Sequence, residues 1–455
     1  MSGINGILEI GKRSLTGQRV GIDVTSHNIA NASTPGYSRQ RLTLQTTEPI
    51  KETYGLLGTG VTMVSIDRLR EGFIDQQVRN ANTYLGEASQ QARILGQIEA
   101  ATNEPSESGL GAMMTRLFNA FQDLSLHPEE SASRNNVVQS ASMMSDTFHR
   151  LTAGLVQLKG DLALDTEARV DQINRIVKEI YDVDQRILGL KASGVAANDA
   201  LDIRDRKLDE LSTLADVKVS VDDLGSVLIS LGGMQLESRT GYIGLTTKTV
   251  GTTLTVVTEG TSIPVTVQSG ELGGILETLN VTIPGYESKL DTLASALITR
   301  INQVHAAGFG VGNPVPTGIN FFTGSGAKDI AVNNVIVANI GAVASSSDGA
   351  PGNNDVAVAL ARVQNELLLN GNSSTIGQFY NGFISDLGAT VQTVANDAES
   401  QQLVLKQLEN QRSSISGVSI DEEMVELIKF QRGFDAAAKV INTVNEMYLT
   451  IIEMV

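Results

Sequence analysis

Apolar residues recur every seven positions at both ends of this chain, and the middle does not share the pattern. Near the N-terminus Leu8, Leu15, Ile22 and Ile29 form one row, with Ile4, Gly11, Gln18 and Thr25 in the companion positions. Near the C-terminus Ile420, Leu427, Phe434, Ile441, Tyr448 and Val455 form another. Met424, Gln431, Ala438, Asn445 and Ile452 lie between them at spacings of four and three. This period keeps one apolar seam facing a partner helix along its length. Chain ends usually fray or are tucked away, so seams on both ends point to assembly.

The first helix is expected from about Ser2 to about Asn31, stopped by Thr34-Pro35-Gly36-Tyr37, where proline and glycine preset a turn. Residues 38–70 read as extended and loop-like, and helical periodicity returns at 73–101 and 110–126. A long proline-free helix is expected from Ser131 to Leu190, with Leu151, Leu155, Leu162, Val170, Ile173 and Ile187 on its stripe. Ile384, Leu387, Val391, Val394, Leu405 and Leu408 supply a matching stripe for an antiparallel partner. The centre switches to period two, in Val217, Val219 and Val221, then Val227, Ile229 and Leu231, then Ile263, Val265 and Val267. A helix over 286–304 follows, and 308–356 reads as surface loops with short strands.

The expected fold is mainly α with an inserted small antiparallel β domain, in an elongated, nested multidomain arrangement. Residues 1–50 with 415–455 form a terminal helical assembly domain, and 51–200 with 280–414 a helical rod. Residues 201–279 form the β-rich insert.

Composition narrows the chemistry. A net charge of -17 argues against a nucleic-acid backbone or an anionic membrane as the main partner. Aromatic residues make up 4% and there is no Trp, which disfavours a large aromatic-lined pocket. The absence of cysteine excludes disulfides, thiolate catalysis and Cys-ligated metals. His27, His127, His149 and His305 are scattered, and Gly55–Gly60 lacks a phosphate-loop lysine. Asp202, Asp205 and Asp209 among Arg204, Arg206 and Lys207 read as a charged helix face. No catalytic residue, cofactor or metal site is expected. No secretory signal or membrane span is read, so composition by itself points to the cytoplasm.

Two terminal segments carry more specific information. Asn28-Ile29-Ala30-Asn31 is followed by Ala32-Ser33-Thr34-Pro35-Gly36-Tyr37-Ser38-Arg39-Gln40. Asn28 and Asn31 sit three apart at a helix end, where their amides suit free carbonyls or a neighbouring subunit. An ordinary helix stop explains most of the same residues. At the other end Ser419 and Glu422 form an S-x-x-E capping box, with Asp421 and Glu423 favouring the helix N-terminus. Residues 1–45 hold five basic and two acidic residues, net +3, and 419–455 hold three and seven, net -4, which suits two helices that pack together.

The first segment resembles the N-terminal signature of the bacterial flagellar axial proteins, the rod, hook and hook-associated proteins. The Gly36-Tyr37-Ser38-Arg39-Gln40 ending resembles the hook-associated members in particular. Leu117–Ser125, Asn198–Asp205, Ser269–Gly274, His305–Gly308 and Ser416–Glu423 fit the same family in order. The resemblance implies a structural, non-enzymatic component of the hook–filament junction, assembling through its N- and C-terminal helices. It implies flagellar type III export, and hence an extracellular, flagellar location in place of the cytoplasm. The implied partners are further copies of the chain, the hook protein and the next hook-associated protein on the filament side. A cytoplasmic export chaperone at the C-terminal helix is also implied. The charged face from Asp202 to Asp209, Arg204 included, would hold the rod to the β domain. The alternatives are a rod or hook subunit, a flagellum-associated cell-wall hydrolase, and a cytoplasmic coiled-coil scaffold.

Overall fold

The computed structural model describes residues 4–52 and 55–454. The helix start expected at Ser2 and the last seam position, Val455, lie outside the described residues. Helix α1 (Ile4–Ala30) ends in the expected turn, with Gly36 at φ +77, a left-handed value that favours glycine. An antiparallel ribbon follows. β1 (Gln40–Thr46) pairs with β4 (Val61–Arg68) from Gln40 opposite Arg68 to Thr46 opposite Val61. β2 (Ile50–Glu52) pairs with β3 (Gly55–Leu57).

Helices α2 (Gly72–Thr102), α3 (Leu110–Leu126), α4 (Ser131–Ala192) and α5 (Asn198–Leu214) come next. The long helix is realised as 62 residues, because nothing in it breaks the ladder and one apolar stripe runs throughout. β5 (Lys218–Val221), β6 (Val227–Leu231), β7 (Met234–Ser238) and β8 (Gly241–Tyr242) form a four-stranded antiparallel meander. β9 (Leu245–Val250), β10 (Thr253–Thr258) and β11 (Pro264–Val265) form a second sheet in the order β11-β10-β9. Helix α6 (Gly270–Glu277) passes through a π turn at Thr278–Thr282 into α7 (Ile283–Ala306). The short β12 (Phe322–Thr323), β13 (Ala331–Val332), α8 (Asn334–Ala338) and α9 (Asp355–Arg362) precede α10 (Ile376–Ser416) and α11 (Ile420–Glu453).

The chain divides into two units. One comprises Met1–Leu85, Gln172–Gly244 and Gln401–Val455, and the other Gly86–Asp171 and Leu245–Ser400. The single β insert expected over 201–279 therefore splits. Its first sheet belongs to one unit and its second to the other, and 201–214 and 270–279 are helical. The reason lies in pairing: β8 closes the first meander, while β9 pairs, among the described residues, with β10 alone.

The second unit holds one large core. Phe121, Phe148, Leu297, Phe321 and Tyr380 belong to it. Residues 308–356, read as surface loops, contribute Phe321, Phe322, Ile330, Ile336 and Val343 to this core. Their backbone is irregular, so no periodicity betrayed their burial. His305 anchors the segment: its ring nitrogens contact Ile319 O at 2.7 Å and Ala344 N at 2.9 Å.

Candidate assembly site at the paired termini

Within the first unit α1 and α11 lie against each other antiparallel. Gly11 faces Ile441, Gln18 faces Gly433, Gly21 faces Phe430 and Asn28 bonds Glu423, so one number climbs as the other falls. The approach is close because glycines line it. A Cβ on Gly21 would come within 2.5 Å of the Phe430 ring, and one on Gly11 within 2.9 Å of Ile441.

A polar clasp locks this pair at the signature. Asn28 is 1% exposed, yet both ends of its amide are satisfied. Nδ2 donates to Gln40 O at 2.8 Å and to Glu423 Oε2 at 2.9 Å, while Oδ1 accepts from Tyr37 Oη at 2.8 Å and Gln40 N at 2.9 Å. Glu423 is 2% exposed, and its charge is met by Arg39 Nε at 2.6 Å. Arg39 Nη1 also reaches Glu422 Oε2 at 2.8 Å, and Arg39 N donates to Ser416 O. Burial, reinforced by the charges of Asp199, Asp202 and Glu423, holds the Tyr37 hydroxyl well above its ordinary value, so it stays a donor.

The next layer fixes the clasp to α5. Ser38 N and Oγ donate to the Asp202 carboxylate at 3.0 and 2.7 Å. Gln40 Nε2 reaches Asp199 Oδ1 at 2.9 Å. Arg68 Nη1 bridges Asp202 and Asp205 at 2.7 and 2.9 Å. Arg70 grips Asp75 at 2.7 Å and Asp205 at 3.1 Å. Burial opposes the Arg70 charge, but its hydrogen bonds to the Asp75 carboxylate and the charges of Asp205, Asp75 and Asp209 hold its guanidinium above the ordinary value. Arg412, near the end of α10, closes the network on Asp209 at 2.6 Å. Pairs this well buried are costly to break, because removing one partner strands the other.

Asp202, Asp205 and Asp209 therefore hold the signature turn, the ribbon and α10. Within the same charged face Arg204 joins Asp184 of α4 and Gly225 O of the β5–β6 turn. Asn31 caps its own helix end by donating to His27 O at 3.0 Å. Ser419 Oγ accepts from Glu422 N, while the Glu422 carboxylate turns to Arg39, so one half of the expected capping box is present.

The seam residues fall into two sets. Leu15, Ile22, Ile29, Leu427, Phe434, Ile441 and Tyr448 are half-buried, while Leu8, Ile420 and Ile452 are exposed. Gln431 and Asn445, polar members of the companion row, are exposed as well. Ala437 and Val444 are the buried apolar positions of α11 instead. Glu423, Phe430, Ala437 and Val444 are themselves seven apart, so the spacing is kept and the most buried row lies beside the one read from the sequence. The other side of α11 carries Met424, Val425 and Ile428, all exposed, with Val425 at 65%. Sequence reasoning missed Glu423, Arg68, Arg70, Asp75 and Arg412 as parts of the site. Only the burial of the acidic end of α11 distinguishes Glu423 from Asp421. Among the described residues no three His, Asp or Glu side chains converge as a metal site, and no helix is long and apolar enough to cross a membrane.

Comparison with known proteins matches this architecture piece by piece. Residues 95–322 match the helical domain of the flagellar hook-associated protein FlgK. Residues 409–454 match the C-terminal region of the flagellar basal body rod FlgEFG proteins, and 8–37 match the flagella basal body rod protein family. These two terminal matches cover the paired helices and part of the clasp. Flagellar hook-associated protein 1 of Bacillus subtilis (strain 168) is 28% identical over 496 aligned positions, covering 97% of this chain and 96% of that one. The protein of the same name from Escherichia coli (strain K12) is 24% identical over 536 positions, covering 97% and 98%. Both alignments are longer than this chain, so those relatives carry internal residues that it lacks. The solved structure of the flagellar hook junction protein FlgK from Burkholderia pseudomallei superposes with a TM-score of 0.64 at 14% identity, over 75% of this chain and 100% of that one. The chain belongs to the flagellar hook-associated protein 1 (FlgK) family.

Proposed function

We propose that this chain is a structural subunit of the flagellar hook–filament junction and catalyses no reaction. The observation that carries the reading is the double-sided α11. One side packs on α1 and is clasped through Glu423, and the other leaves Met424, Val425 and Ile428 uncovered. An apolar strip on an already paired helix is a surface for further chains, and its burial at ~25 cal/mol per Å² drives their association. The seam set from Leu8 to Ile29 and from Ile420 to Ile452 is then shared between the α1–α11 pair and contacts between subunits.

The names of the relatives support this reading. The partners proposed are further copies of the chain, the hook protein on one side and the next hook-associated protein on the other. The chain would leave the cell by flagellar export and act outside it. Before that, a cytoplasmic chaperone would cover the C-terminal helix, whose apolar strip invites aggregation if left bare. The test is immunogold labelling of isolated flagella with a motility assay of a strain lacking the chain. Label confined to the hook–filament boundary and loss of filaments are expected. Label along the rod, or unaffected filaments, would overturn the proposal.

A further inference from the structure

The four-stranded sheet contains one irregularity, and it turns a carboxyl inward. β6 alternates regularly, with Val227, Ile229 and Leu231 buried. β7 breaks the alternation, because Leu236 and Glu237 are both buried. Leu231 pairs with Met234 and Ser230 with Gln235, but Ile229 pairs with Glu237, so Leu236 is a bulged extra residue. In an unbulged ladder Leu236 would face Ile229, and Glu237 would lie opposite Leu228 on the outward side.

The inward position offers Glu237 nothing to bond. Its side chain is fully covered, and neither carboxyl oxygen has a hydrogen-bond donor. The charged groups around it are Asp184 from α4, Arg204 from α5 and Asp222 from the β5–β6 turn. Tyr242 pairs with it from β8. Arg204 is already committed, donating to Asp184 Oδ1 at 2.8 Å and to Gly225 O at 2.9 Å. Asp184 takes two more donors, Ser226 Oγ and Val227 N. Two buried carboxyls thus share one guanidinium, and Asp184 holds it. Burial first, and the Asp184 charge second, push the Glu237 carboxyl up to about 8.

We propose that β7 is a two-register element controlled by one proton. While Glu237 is neutral the bulge keeps it inside; when it ionises, β7 slips to the unbulged register, which moves Glu237 into water and brings Ser238 inward. The hairpin turn at Gly232 and Gly233, at φ +55 and +81, need not change. The pairs beside it, Leu231–Met234 and Ser230–Gln235, are common to both registers, so the slip involves only the distal half of β7 and the short edge strand β8.

The linkage has a definite sign. The bulged state has the raised pKa, so it binds one proton more than the slipped state, in which Glu237 titrates near its ordinary 4.5. The bulged register is therefore fully favoured below pH 4.5. It loses about tenfold per pH unit as the pH rises toward 8, and nothing further above that.

Hydrogen exchange on the full-length chain between pH 6 and 9 tests this directly. Protection factors over 234–242, corrected for intrinsic rates, should fall about tenfold per unit up to pH 8 and then level off. Those of β5 should hold. In Glu237→Gln, a neutral near-isostere, the dependence should vanish. Carbon-13 observation of the Glu237 carboxyl in the unmodified chain should show a midpoint well above the ordinary 4.5 and below the value of about 8 in the bulged register, since ionisation is shared with the slip, and this readout stands even where the variant fails to fold. A midpoint near 4.5, pH-independent protection of β7, or equal loss in β5 would each overturn the proposal.

Discussion

Gly17 and Gly21 lie one helical turn apart on α1, and alanine at each should have opposite effects. In a helix interior Gly→Ala gains about 1 kcal/mol, because glycine loses more backbone freedom on folding. At Gly17 the new methyl would meet Leu44 Cδ2 at 3.6 Å, an ordinary contact. The full gain of about 1 kcal/mol is expected there. At Gly21 the same methyl would lie 2.5, 2.6 and 2.8 Å from three atoms of the Phe430 ring. The ring must turn or α11 must move away. Overpacking of this kind costs about 1–3 kcal/mol, which outweighs the propensity gain. The two variants should differ by about 2 kcal/mol, a factor of roughly 30 in the opening equilibrium of α1. Amide exchange over α1 in the free full-length chain reads this difference, and Gly17→Ala should exchange more slowly than Gly21→Ala. Equal slowing in both would show that α11 does not press on α1 at Phe430, and the antiparallel register would be wrong.

Asn28→Ala should cost about 3 kcal/mol or more, since the buried Glu423 and the Gln40 backbone lose partners together; exchange over α1 and the first turns of α11 measures it. Asn28→Asp keeps the acceptors but sets a carboxylate beside Glu423. Two buried carboxyls cannot both ionise cheaply, so that variant should lose stability as pH rises through and above the ordinary carboxylate range of about 4, the reverse of ordinary acid sensitivity, and melting curves from pH 3 to 8 would show it. His305 works in the second unit with the opposite sign. Burial lowers its pKa to about 4, so its share of stability is present above pH 6.5 and is lost as pH falls toward 4. The loss is on the order of 3 kcal/mol. A ring titration midpoint at the ordinary 6.5 would refute it.

The helices and both ends were legible in the sequence because their apolar periods are long and uninterrupted. The 62 residues of α4 and the start of α11 after Ser419 follow from local rules. The signature turn was legible as a turn, but its partners were not. Asp202 lies 164 positions from Ser38 and Glu423 lies 395 from Asn28, and nothing in local patterning links such residues. The seven-residue rows singled out helices that pack, yet they did not reveal which stripe faces α1. Gly11 against Ile441 and Gly21 against Phe430 carry that contact, and glycine reads as a weakness in a helix until its neighbour is known. The bulge in β7 escaped for a related reason, since Leu236 and Glu237 look like ordinary alternation.

The claim on which the functional reading rests is that the outer side of α11 joins subunits while the inner side holds α1. The decisive measurement pairs Met424→Asp with Ile428→Asp in one full-length chain and quantifies its recovery in purified hook–filament structures beside its melting temperature and secreted amount. Both residues are exposed in the single chain, so melting should be unchanged, and recovery is expressed per secreted chain because the proposed export chaperone covers the same strip. Each aspartate would put an unpaired charge into a closed contact between subunits, costing several kcal/mol at every repeat, so recovery should fall to background. Recovery equal to that of the unmodified chain would show that this strip does not join subunits and would contradict the assembly proposed.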